Sequence, residues 1–301
     1  MESDNHFELN NVLFYGGSSL LAHMWTNTFM KKDNIFLTKH IQEIKNKGCQ
    51  ILHVANAIDE KSLISMIKKN RIRFIVNCVG LTNVEKCEND LQNANYLNSL
   101  VPQILAKVCN YCKIKFIHIS TDHLFDGENP FSKESGITKP LNLYAQSKLH
   151  GEQNVLKEKK DSLIIRTNFF GNGPGYNPSF SDKIINSIIN KREIVLFEDV
   201  FFTPIHIREF SRIVNILVER NFSGIYNVVC NERISKYEFG VLISEILNLP
   251  NQNLKKGKLL DRKDLSKRPL DMSLSNLKLK NLVGINVLPI RDQIRYLNKC
   301  D

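Results

Sequence analysis

At residues 11–22 the chain reads Asn11-Val-Leu-Phe-Tyr-Gly-Gly-Ser-Ser-Leu-Leu-Ala22, an apolar run that passes directly into a turn of small residues. The run predicts a buried strand, and the residues that follow the turn predict a helix. Such a turn lets backbone N–H groups and a helix N-terminus approach a phosphate group. Taken alone, it is equally compatible with a dinucleotide site and with a tight turn that binds no ligand.

The turn departs at one position from the usual pattern of three glycines spaced three residues apart. The corresponding residues are Gly16, Ser19 and Ala22. Alanine is acceptable at the third position, which serves helix packing. The Ser19 hydroxymethyl group would either crowd a pyrophosphate or hydrogen-bond it, and the sequence leaves both alternatives open.

Short apolar runs alternate with amphipathic stretches through the first two-thirds of the chain. Continuous apolar strands separated by helices predict a parallel sheet that is covered on both faces. The predicted fold class is therefore α/β, a doubly wound parallel sheet of the Rossmann type with a smaller C-terminal α/β substrate lobe. The predicted strands of the sheet lie at residues 11–15, 34–37, 50–54, 74–77, 115–120 and 162–166.

The character of the sequence changes after Gly171, and this change sets the predicted division into domains. Residues 1–10 are polar and acidic and are expected to form an N-terminal tail, followed by the dinucleotide-binding Rossmann domain at residues 11–170. Residues 171–301 are expected to form mainly the substrate-binding lobe, with part of 200–230 returning to the Rossmann domain.

Composition excludes several classes of protein. A hydrophobic fraction of 42% and a charged fraction of 24% are typical of a globular protein, and no apolar run is long enough to span a bilayer. The net charge of +10 comes from lysines spread along the chain without a nucleic-acid-binding signature, so it gives weak support for an anionic ligand. We expect a cytoplasmic protein that contacts neither nucleic acid nor membrane.

The seven cysteines are scattered without a framework, as in proteins of a reducing compartment. Cys109 and Cys112 form a lone C-x-x-C pair, whereas a zinc site of this kind requires a second pair. We therefore predict no metal site and interpret these thiols as buried or half-buried side chains, with a redox role as the alternative.

Two segments carry the chemistry, Ile119-Ser-Thr-Asp-His-Leu-Phe-Asp-Gly127 and Pro140-Leu-Asn-Leu-Tyr-Ala-Gln-Ser-Lys-Leu-His-Gly-Glu152. A spacing of four on a helix places Tyr144 and Lys148 on one face. The ammonium is expected to lower the pKa of the phenol, whose proton then becomes available for transfer at neutral pH. Because Thr121 offers a hydroxyl to the same reacting oxygen, the segments predict protonation of a carbonyl oxygen while hydride arrives at its carbon.

The same spacing occurs at Tyr111 and Lys115, where the context is different. Lys115 begins a predicted buried strand, whereas Tyr144 lies at the start of a predicted helix, after Pro140 and with Asn142 as a capping residue. We therefore assign the candidate site to Tyr144 and not to Tyr111.

Doubly wound sheets bind ligands beyond the carboxyl ends of their strands, where the strand order reverses. Residues that follow predicted strand ends are Gly16, Asn56, Gly80, Thr121 and Asn168. The topology therefore predicts that these residues converge on one crevice, in which the polar side chain of Asn56 can meet an adenine edge.

The end of the second strand bears on the choice of cofactor. It reads Leu37-Thr-Lys-His40 and contains no acidic residue for a ribose 2′-hydroxyl. Lys39 could instead accompany a 2′-phosphate, which favours NADPH, with NADH kept as the alternative.

These segments together resemble the extended short-chain dehydrogenase/reductases and, more narrowly, the dTDP-4-dehydrorhamnose reductase family. The resemblance extends from the glycine turn to Arg268-Pro-Leu-Asp-Met-Ser273 and includes Asn77-Cys-Val-Gly-Leu-Thr-Asn-Val-Glu85 and Ile165-Arg-Thr-Asn-Phe-Phe-Gly171. It implies NADPH-dependent reduction of the C4 ketone of a nucleotide-linked 4-keto-6-deoxy sugar, in deoxysugar or surface-polysaccharide biosynthesis. The expected partner is a nucleotide-diphosphate sugar. The sequence leaves the oligomeric state open, with a homodimer as one alternative.

The resemblance also implies roles for individual residues. Tyr144 would be the general acid, Lys148 would lower its pKa and hold the nicotinamide ribose, and Thr121 would orient the carbonyl. Together with Lys39, the expected cofactor contacts are Gly16, Ser19, Leu20, Asn56, Ala57, Gly80, Leu81, Thr82, Tyr144 and Lys148. The expected substrate contacts are Thr121, Asp122, His123, Asn168 and Phe169.

Two departures from the family's pattern bear on the substrate. His123 stands where the family usually has tyrosine, which indicates either an ordinary loop histidine or an altered sugar preference. The family's common Asp-Gln-x-Gly-x-Pro-Thr stretch is Asp199-Val-Phe-Phe-Thr-Pro-Ile205 in this chain, which puts dTDP-rhamnose synthesis itself in doubt.

Three other functions are compatible with the same superfamily. A dehydratase would usually have a glutamate next to the catalytic Thr-Asp pair, where this chain has His123. A sugar-nucleotide epimerase would more often keep an intact glycine turn. A non-catalytic, dinucleotide-binding regulatory subunit is favoured by Ser19 and disfavoured by the intact set of Thr121, Tyr144 and Lys148.

Overall fold

A parallel sheet of seven strands lies at the centre of the protein, whose computed structural model describes residues 9–29, 31–39, 43–44, 48–54 and 59–298. The strands are β1 (Val12–Tyr15), β2 (Ile35–Lys39), β3 (Gln50–His53), β4 (Phe74–Asn77), β5 (Lys115–Ile119), β6 (Leu163–Arg166), β7 (Phe169–Phe170), β8 (Ile194–Phe197), β9 (Phe201–Phe202), β10 (Ile205–His206), β11 (Gly224–Asn227), β12 (Ile234–Ser235) and β13 (Leu254–Gly257).

Helices connect and cover these strands. They are α1 (Leu20–Thr26), α2 (Glu60–Lys69), α3 (Val84–Asn89), α4 (Leu91–Asn95), α5 (Val101–Cys112), α6 (Leu143–Glu158), α7 (Phe180–Ile189), α8 (Ile207–Glu219), α9 (Lys236–Ile246) and α10 (Ile290–Ile294). Wide π turns lie at Tyr96–Leu100, between α4 and α5, and at Leu279–Val283, and short 3-10 turns lie at Leu259–Asp261 and Arg295–Asn298.

The strand order of the central sheet is β11-β6-β5-β4-β1-β2-β3, with every neighbouring pair parallel. The chain therefore winds outward from β1 in one direction and from β4 in the other. The predicted doubly wound parallel sheet is confirmed. Its order reverses between β1 and β4, where Tyr15 pairs with Asn77, so a crevice opens beyond the ends of these two strands.

Both faces of the sheet are buried because successive side chains of each strand point to opposite sides. On one face Phe14 contacts Trp25 of α1 edge-to-face at 5.2 Å between ring centroids, and Trp25 contacts Phe210 of α8 at 5.1 Å. On the other face Leu13 packs with Ile75 and with residues of α2 and α5. The apolar strands are thus the core of the molecule.

The turn after β1 requires both of its glycines. Gly16 has a φ of +93°, and a Cβ atom there would lie 2.8 Å from the Val79 side chain. A Cβ atom on Gly17 would lie 2.7 Å from Leu37 Cβ. The chain can therefore pass tightly from β1 into α1 only without side chains at these two positions.

A second apolar cluster holds the C-terminal lobe together. Phe239 of α9 contacts Phe170 and Phe202 edge-to-face at 5.1 and 5.4 Å, and β8 pairs with β13 beside it. Between these elements the chain returns to the first lobe, where α8 covers α1 and β11 pairs with β6 at the edge of the central sheet. The lobes are therefore interleaved in sequence.

The segment that precedes Asp271 joins the C-terminal lobe to the helices of the central sheet. Arg268 forms an ion pair with Glu85 of α3, and the Asn142 side-chain amide donates to the Lys267 carbonyl at 2.9 Å. These contacts hold the C-terminal lobe against the crevice. Across the described ranges, none of the helices combines the length and apolar character needed to cross a membrane.

Candidate active site

A cavity of about 390 Å³ lies beyond the ends of β1, β4 and β5, at the point where the strand order reverses. It collects segments that are far apart in sequence, as the topology predicts. The sequence-predicted residues that line it are Ser19, Leu20, Gly80, Thr82, Thr121, Asp122, His123, Tyr144, Lys148, Asn168 and Phe169.

Five predicted cofactor residues are not among the residues that line this cavity. Gly16 forms the tight turn behind it, Leu81 lies in the loop between Gly80 and Thr82, and Lys39 ends β2. Asn56 and Ala57 lie outside the described residues.

Helix α6 positions the central pair. The predicted cap is confirmed, since the Asn142 side chain accepts a hydrogen bond from Ala145 N at 2.9 Å and the helix begins at Leu143. Tyr144 and Lys148 lie one turn apart on the face that meets the cavity, with 7% and 4% of their surface exposed. The exposed Tyr111, by contrast, lies at the end of α5, away from this cavity.

The Lys148 ammonium is held by the backbone of the neighbouring strand. Its Nζ donates to the carbonyl of Ile119, the last residue of β5, at 2.6 Å. Burial lowers the pKa of Lys148 to about 8, while the Glu152 carboxylate opposes this shift. Glu152 is itself fixed by Arg166, which donates from Nε at 2.9 Å and from Nη2 at 2.7 Å. A buried ion pair thus lies next to Lys148.

The pKa of Tyr144 is raised, and this corrects the expectation that Lys148 lowers it. Removal of the phenol from water is the largest cause, and a hydrogen bond with Thr121 opposes it. The Lys148 ammonium does not overcome the desolvation, because it is directed at the Ile119 carbonyl. The phenol therefore keeps its proton at neutral pH, which is the state that a general acid requires.

The loop after β5 presents a hydroxyl and a carboxylate to the cavity. Thr121 Oγ1 donates to Asp122 Oδ1 at 3.3 Å and accepts from the backbone N–H of His123 at 3.3 Å. Asn168, which follows β6, donates to Asp122 Oδ2 at 2.7 Å. Thr121, Asp122 and Asn168 therefore form one network around the Tyr144 hydroxyl.

The His123 ring separates this cavity from a second one. It contacts the Tyr144 ring edge-to-face at 5.4 Å between centroids, and it lines both cavities. Burial is the largest influence on His123 and lowers its pKa, so the ring is neutral at neutral pH. Its Nδ1 atom is buried and has no hydrogen-bond partner among the described residues.

The second cavity has a volume of about 260 Å³ and belongs largely to the C-terminal lobe. Two cations line it, Lys236 at the start of α9 and Arg268, which is paired with Glu85. Sequence reasoning missed Lys236, since it stands alone in an ordinary helix start and only the packing of the two lobes brings it beside His123. The remaining lining residues are Phe180, Val195, Leu196, Phe197, Val200 and Met272.

Asn98 was also missed, although it shapes the cavity wall. It lies in the π turn Tyr96–Leu100, fully buried, within a stretch whose sequence predicts one long helix. Its Oδ1 accepts from Leu81 N at 2.8 Å, and its Nδ2 donates to Leu81 O at 3.0 Å and to Ser147 Oγ at 2.9 Å. No local signal marks this asparagine, because its partners are in another loop and another helix.

The glycine turn is closed by Ser19 and covered by a distant loop. Ser19 Oγ accepts from Ala22 N at 3.1 Å and so caps α1, and its hydroxyl also hydrogen-bonds the Cys78 thiol. The Tyr176 hydroxyl, from the loop between β7 and α7, donates to Ser18 O at 3.3 Å. Lys39 forms an ion pair with Glu43.

Comparison with known proteins gives the same fold and a family. The family described as the RmlD substrate binding domain matches residues 11–299. The "Probable low-salt glycan biosynthesis reductase Agl14" of Haloferax volcanii is 24% identical over 286 residues, covering 94% of this chain and 95% of that protein. Methionine adenosyltransferase 2 subunit beta of Pongo abelii is 27% identical over 301 residues, covering 94% of this chain and 85% of that protein.

A solved structure with the same architecture is the dTDP-4-dehydrorhamnose reductase of Bacillus anthracis, determined in complex with NADP. It superposes with a TM-score of 0.81 at 20% identity, covering 97% of this chain and 99% of that one. At this identity the similarity establishes the fold.

Proposed function

The chain belongs to the RmlD substrate-binding family of the extended short-chain dehydrogenase/reductases, and on this premise we propose that it is an NADPH-dependent reductase of the C4 ketone of a nucleotide-linked 4-keto-6-deoxy sugar. The observation that carries the proposal is the convergence of Thr121, Tyr144 and Lys148 on one cavity at the reversal of strand order. The sugar-nucleotide reductases and glycan-biosynthesis proteins among its relatives support a role in polysaccharide biosynthesis.

The glycine turn fits a nicotinamide dinucleotide. The N–H groups of Gly16 and Gly17 donate to Thr38, and the lack of Cβ atoms at these positions lets the turn pass closely into α1. The first N–H groups of α1, at Leu20 and Leu21, would then face a pyrophosphate. Ser19 adds a hydroxyl whose oxygen accepts from Ala22 N, and its proton would turn from the Cys78 thiol to a phosphate oxygen. Gly80 and Thr82 line the opposite wall, in a loop that Asn98 holds at Leu81. When bound there, the dinucleotide supplies hydride to the ketone carbon.

Tyr144 then supplies the proton. Its raised pKa keeps the phenol protonated, and the forming alkoxide is the base that receives the proton. Thr121 would turn its hydroxyl proton from Asp122 to the same oxygen, and this second hydrogen bond would orient the carbonyl. The Lys148 ammonium stabilises negative charge on the phenolate that remains, since it lies one helical turn away in a desolvated site.

NADPH is the cofactor that we propose over NADH. Lys39 ends β2, where a cation can meet a 2′-phosphate, and no acid stands at this position to bind a ribose hydroxyl. Lys39 is paired with Glu43, so the proposal requires a 2′-phosphate to compete with that carboxylate. Titration with NADPH and NADH measures the preference, and tighter binding of NADH would contradict it.

The sugar would lie against the Thr121–Asp122–Asn168 network, with Phe169 and His123 as its apolar sides. The neutral His123 ring replaces the tyrosine common in the family, and its contact with the Tyr144 ring places it where it can influence which sugar is accepted. We propose that the C-terminal lobe, mainly residues 171–301, binds the nucleotide. A homodimer stays a prediction, which light scattering in solution can test.

The reductase proposal is tested by NADPH oxidation with purified full-length protein and a panel of dTDP-, UDP-, GDP- and CDP-linked 4-keto-6-deoxy sugars. We expect turnover with at least one member and loss of that turnover in Tyr144→Phe. Absence of turnover with every member, together with normal dinucleotide binding, would reject the proposal.

A regulatory subunit is the second candidate, because methionine adenosyltransferase 2 subunit beta of Pongo abelii matches 94% of this chain. That function requires dinucleotide binding without turnover. Stable assembly with another enzyme that persists in Tyr144→Phe, with no ketoreduction by the wild type, would favour it.

A further inference from the structure

The second cavity holds a cation that the proposed reaction does not use. Lys236 is the first residue of α9, and its Nζ lies 3.3 Å from the centroid of the Phe202 ring and 5.0 Å from that of Phe180. Ring faces are negative and hold a desolvated ammonium at a defined place. The charge is therefore positioned by the core of the C-terminal lobe.

Lys236 has no counter-ion of its own. Within the described ranges, no carboxylate oxygen lies within 4 Å of its ammonium, whereas Arg268, the other cation of this cavity, is paired with Glu85. Asp122 is near enough to raise the pKa of Lys236, yet burial is the larger influence and lowers it to about 8. Lys236 is half-buried beside apolar side chains, where a cation without a paired carboxylate favours the approach of an anion.

The residues around Lys236 indicate what kind of anion fits. None of the residues that line the cavity is acidic, and Phe180, Phe197 and Met272 give it apolar walls. At about 260 Å³ it is smaller than the 300–1,000 Å³ typical of whole-ligand sites, so it suits one part of a larger molecule. It also shares His123 with the cavity that contains Tyr144.

We propose that Lys236 is a specificity-determining residue that binds the diphosphate of a sugar nucleotide, with the apolar walls of the second cavity holding the nucleoside. The sugar would then pass the His123 ring and reach Tyr144. This inference rests on the proposed function for the identity of the substrate. Lys236 would then select substrates whose anionic group reaches the second cavity while their ketone lies beside Tyr144.

The test is calorimetric titration of the full-length protein with dTDP, UDP and thymidine, for wild type, Lys236→Met, Lys236→Arg and Lys256→Met. Loss of one charge-assisted contact is expected to weaken dTDP binding about tenfold or more in Lys236→Met and much less in Lys236→Arg. Thymidine binding should be equal in wild type and Lys236→Met. Lys256 is the matched control, since its Nζ also lies over a ring, Tyr237, at 5.1 Å, but on the exposed surface and paired with Glu198.

Equal affinity of wild type and Lys236→Met for dTDP would overturn the assignment, as would a parallel loss of thymidine binding or a wild type that binds neither diphosphate. These outcomes are separate from failure of the reductase. If no keto sugar is reduced but dTDP binding depends on Lys236, the subsite stands and the reductase proposal fails. If a keto sugar is reduced, we expect Lys236→Met to raise KM while kcat stays within a few fold of the wild-type value.

Discussion

The side chain of Asn98 is hydrogen-bonded to both polar groups of the Leu81 backbone, at 2.8 Å to its N–H and 3.0 Å to its carbonyl. Leu81 lies in the loop after β4. The Asn98 amide pairs with its N–H and carbonyl in the way that a neighbouring strand would. The widened turn at Tyr96–Leu100 lets Asn98 lie inside the helix packing while its amide reaches across to the loop. One buried side chain thus fixes the loop whose Gly80 and Thr82 line the cavity.

We expect Asn98→Ala to lower the free energy of unfolding by about 1–3 kcal/mol, because the buried Leu81 groups lose their partners. Dinucleotide affinity should fall as well, since the loop is no longer fixed. Urea denaturation and NADPH titration measure the two effects. Asn93→Ala, on the exposed face of neighbouring α4, is the control and should change stability by less than about 0.5 kcal/mol. Equal stability of the two variants would show that the amide does not support the loop.

Tyr144→Phe should lower kcat by about 10²–10⁴-fold, the usual contribution of a positioned acid, with NADPH affinity unchanged. The matched control is Tyr111→Phe, because Tyr111 has the same spacing to a lysine but is 68% exposed and lies away from the cavity. Steady-state kinetics on any accepted keto sugar gives the comparison. Similar kcat values for Tyr144→Phe and wild type would remove Tyr144 from the role of acid.

The lysine behind Tyr144 should make stability depend on pH in a predictable direction. Its pKa is lowered from 10.5 to about 8 by burial, so between these values the unfolded chain holds the proton and the folded chain does not. The free energy of unfolding therefore rises with pH across this window. Below the window, the buried ammonium lowers the free energy of unfolding by its full amount. The change across the whole window is on the order of 3–4 kcal/mol at most, from about 1.4 kcal/mol per pKa unit.

Lys148→Met removes this contribution. We expect the free energy of unfolding of wild type, relative to the variant, to increase when urea denaturation is repeated at pH 7 and at pH 10. Other titrating groups, including Lys236, are common to both proteins and cancel in the difference. A difference that is constant with pH, or that decreases, would contradict the lowered pKa.

The buried pair of Glu152 and Arg166 predicts a strong asymmetry between single and double substitutions. Both side chains are 3% exposed, so Glu152→Ala leaves an unpaired guanidinium in the core and should cost about 3–5 kcal/mol. Replacement of both by apolar residues, Glu152→Leu with Arg166→Met, should cost much less. Urea denaturation of the three proteins measures the effect, and equal costs for single and double variants would contradict it.

An exposed ion pair is the control for this comparison. Lys255 and Glu193 are 3.4 Å apart and largely solvated, so Glu193→Ala should change stability by less than about 1 kcal/mol. A loss as large as that in Glu152→Ala would show that burial is not the cause.

Features set by residues close together in sequence could be predicted. The alternation of apolar runs and helices fixes a parallel sheet, and the cap at Asn142 follows from a local preference of helix starts. The placement of Tyr144 and Lys148 on one face follows from their spacing of four residues and the pitch of a helix. Thr121 and Asn168 could be placed as well, since both follow strands that end at the same edge of the sheet.

The remaining features depend on contacts between distant segments. Lys236 becomes part of a cavity only because α9 packs beside His123, and Asn98 gains its role from a loop seventeen residues earlier. The pKa of Tyr144 was mispredicted for a related reason: burial in the folded protein outweighs the neighbouring charge. The spacing between charged residues is visible in the sequence. The loss of water around a side chain is known only once the fold is known.

The return of the chain to the central sheet at β11 has a consequence for attempts to dissect the protein. A fragment that ends after residue 170 would lose both the strand that pairs with β6 and helix α8. It would expose the N–H and C=O groups of β6 as a free sheet edge and uncover Trp25, a combination that promotes edge-to-edge aggregation. The two lobes are thus spatially distinct halves of one folding unit. Neither can be separated or exchanged by dividing the chain at one position.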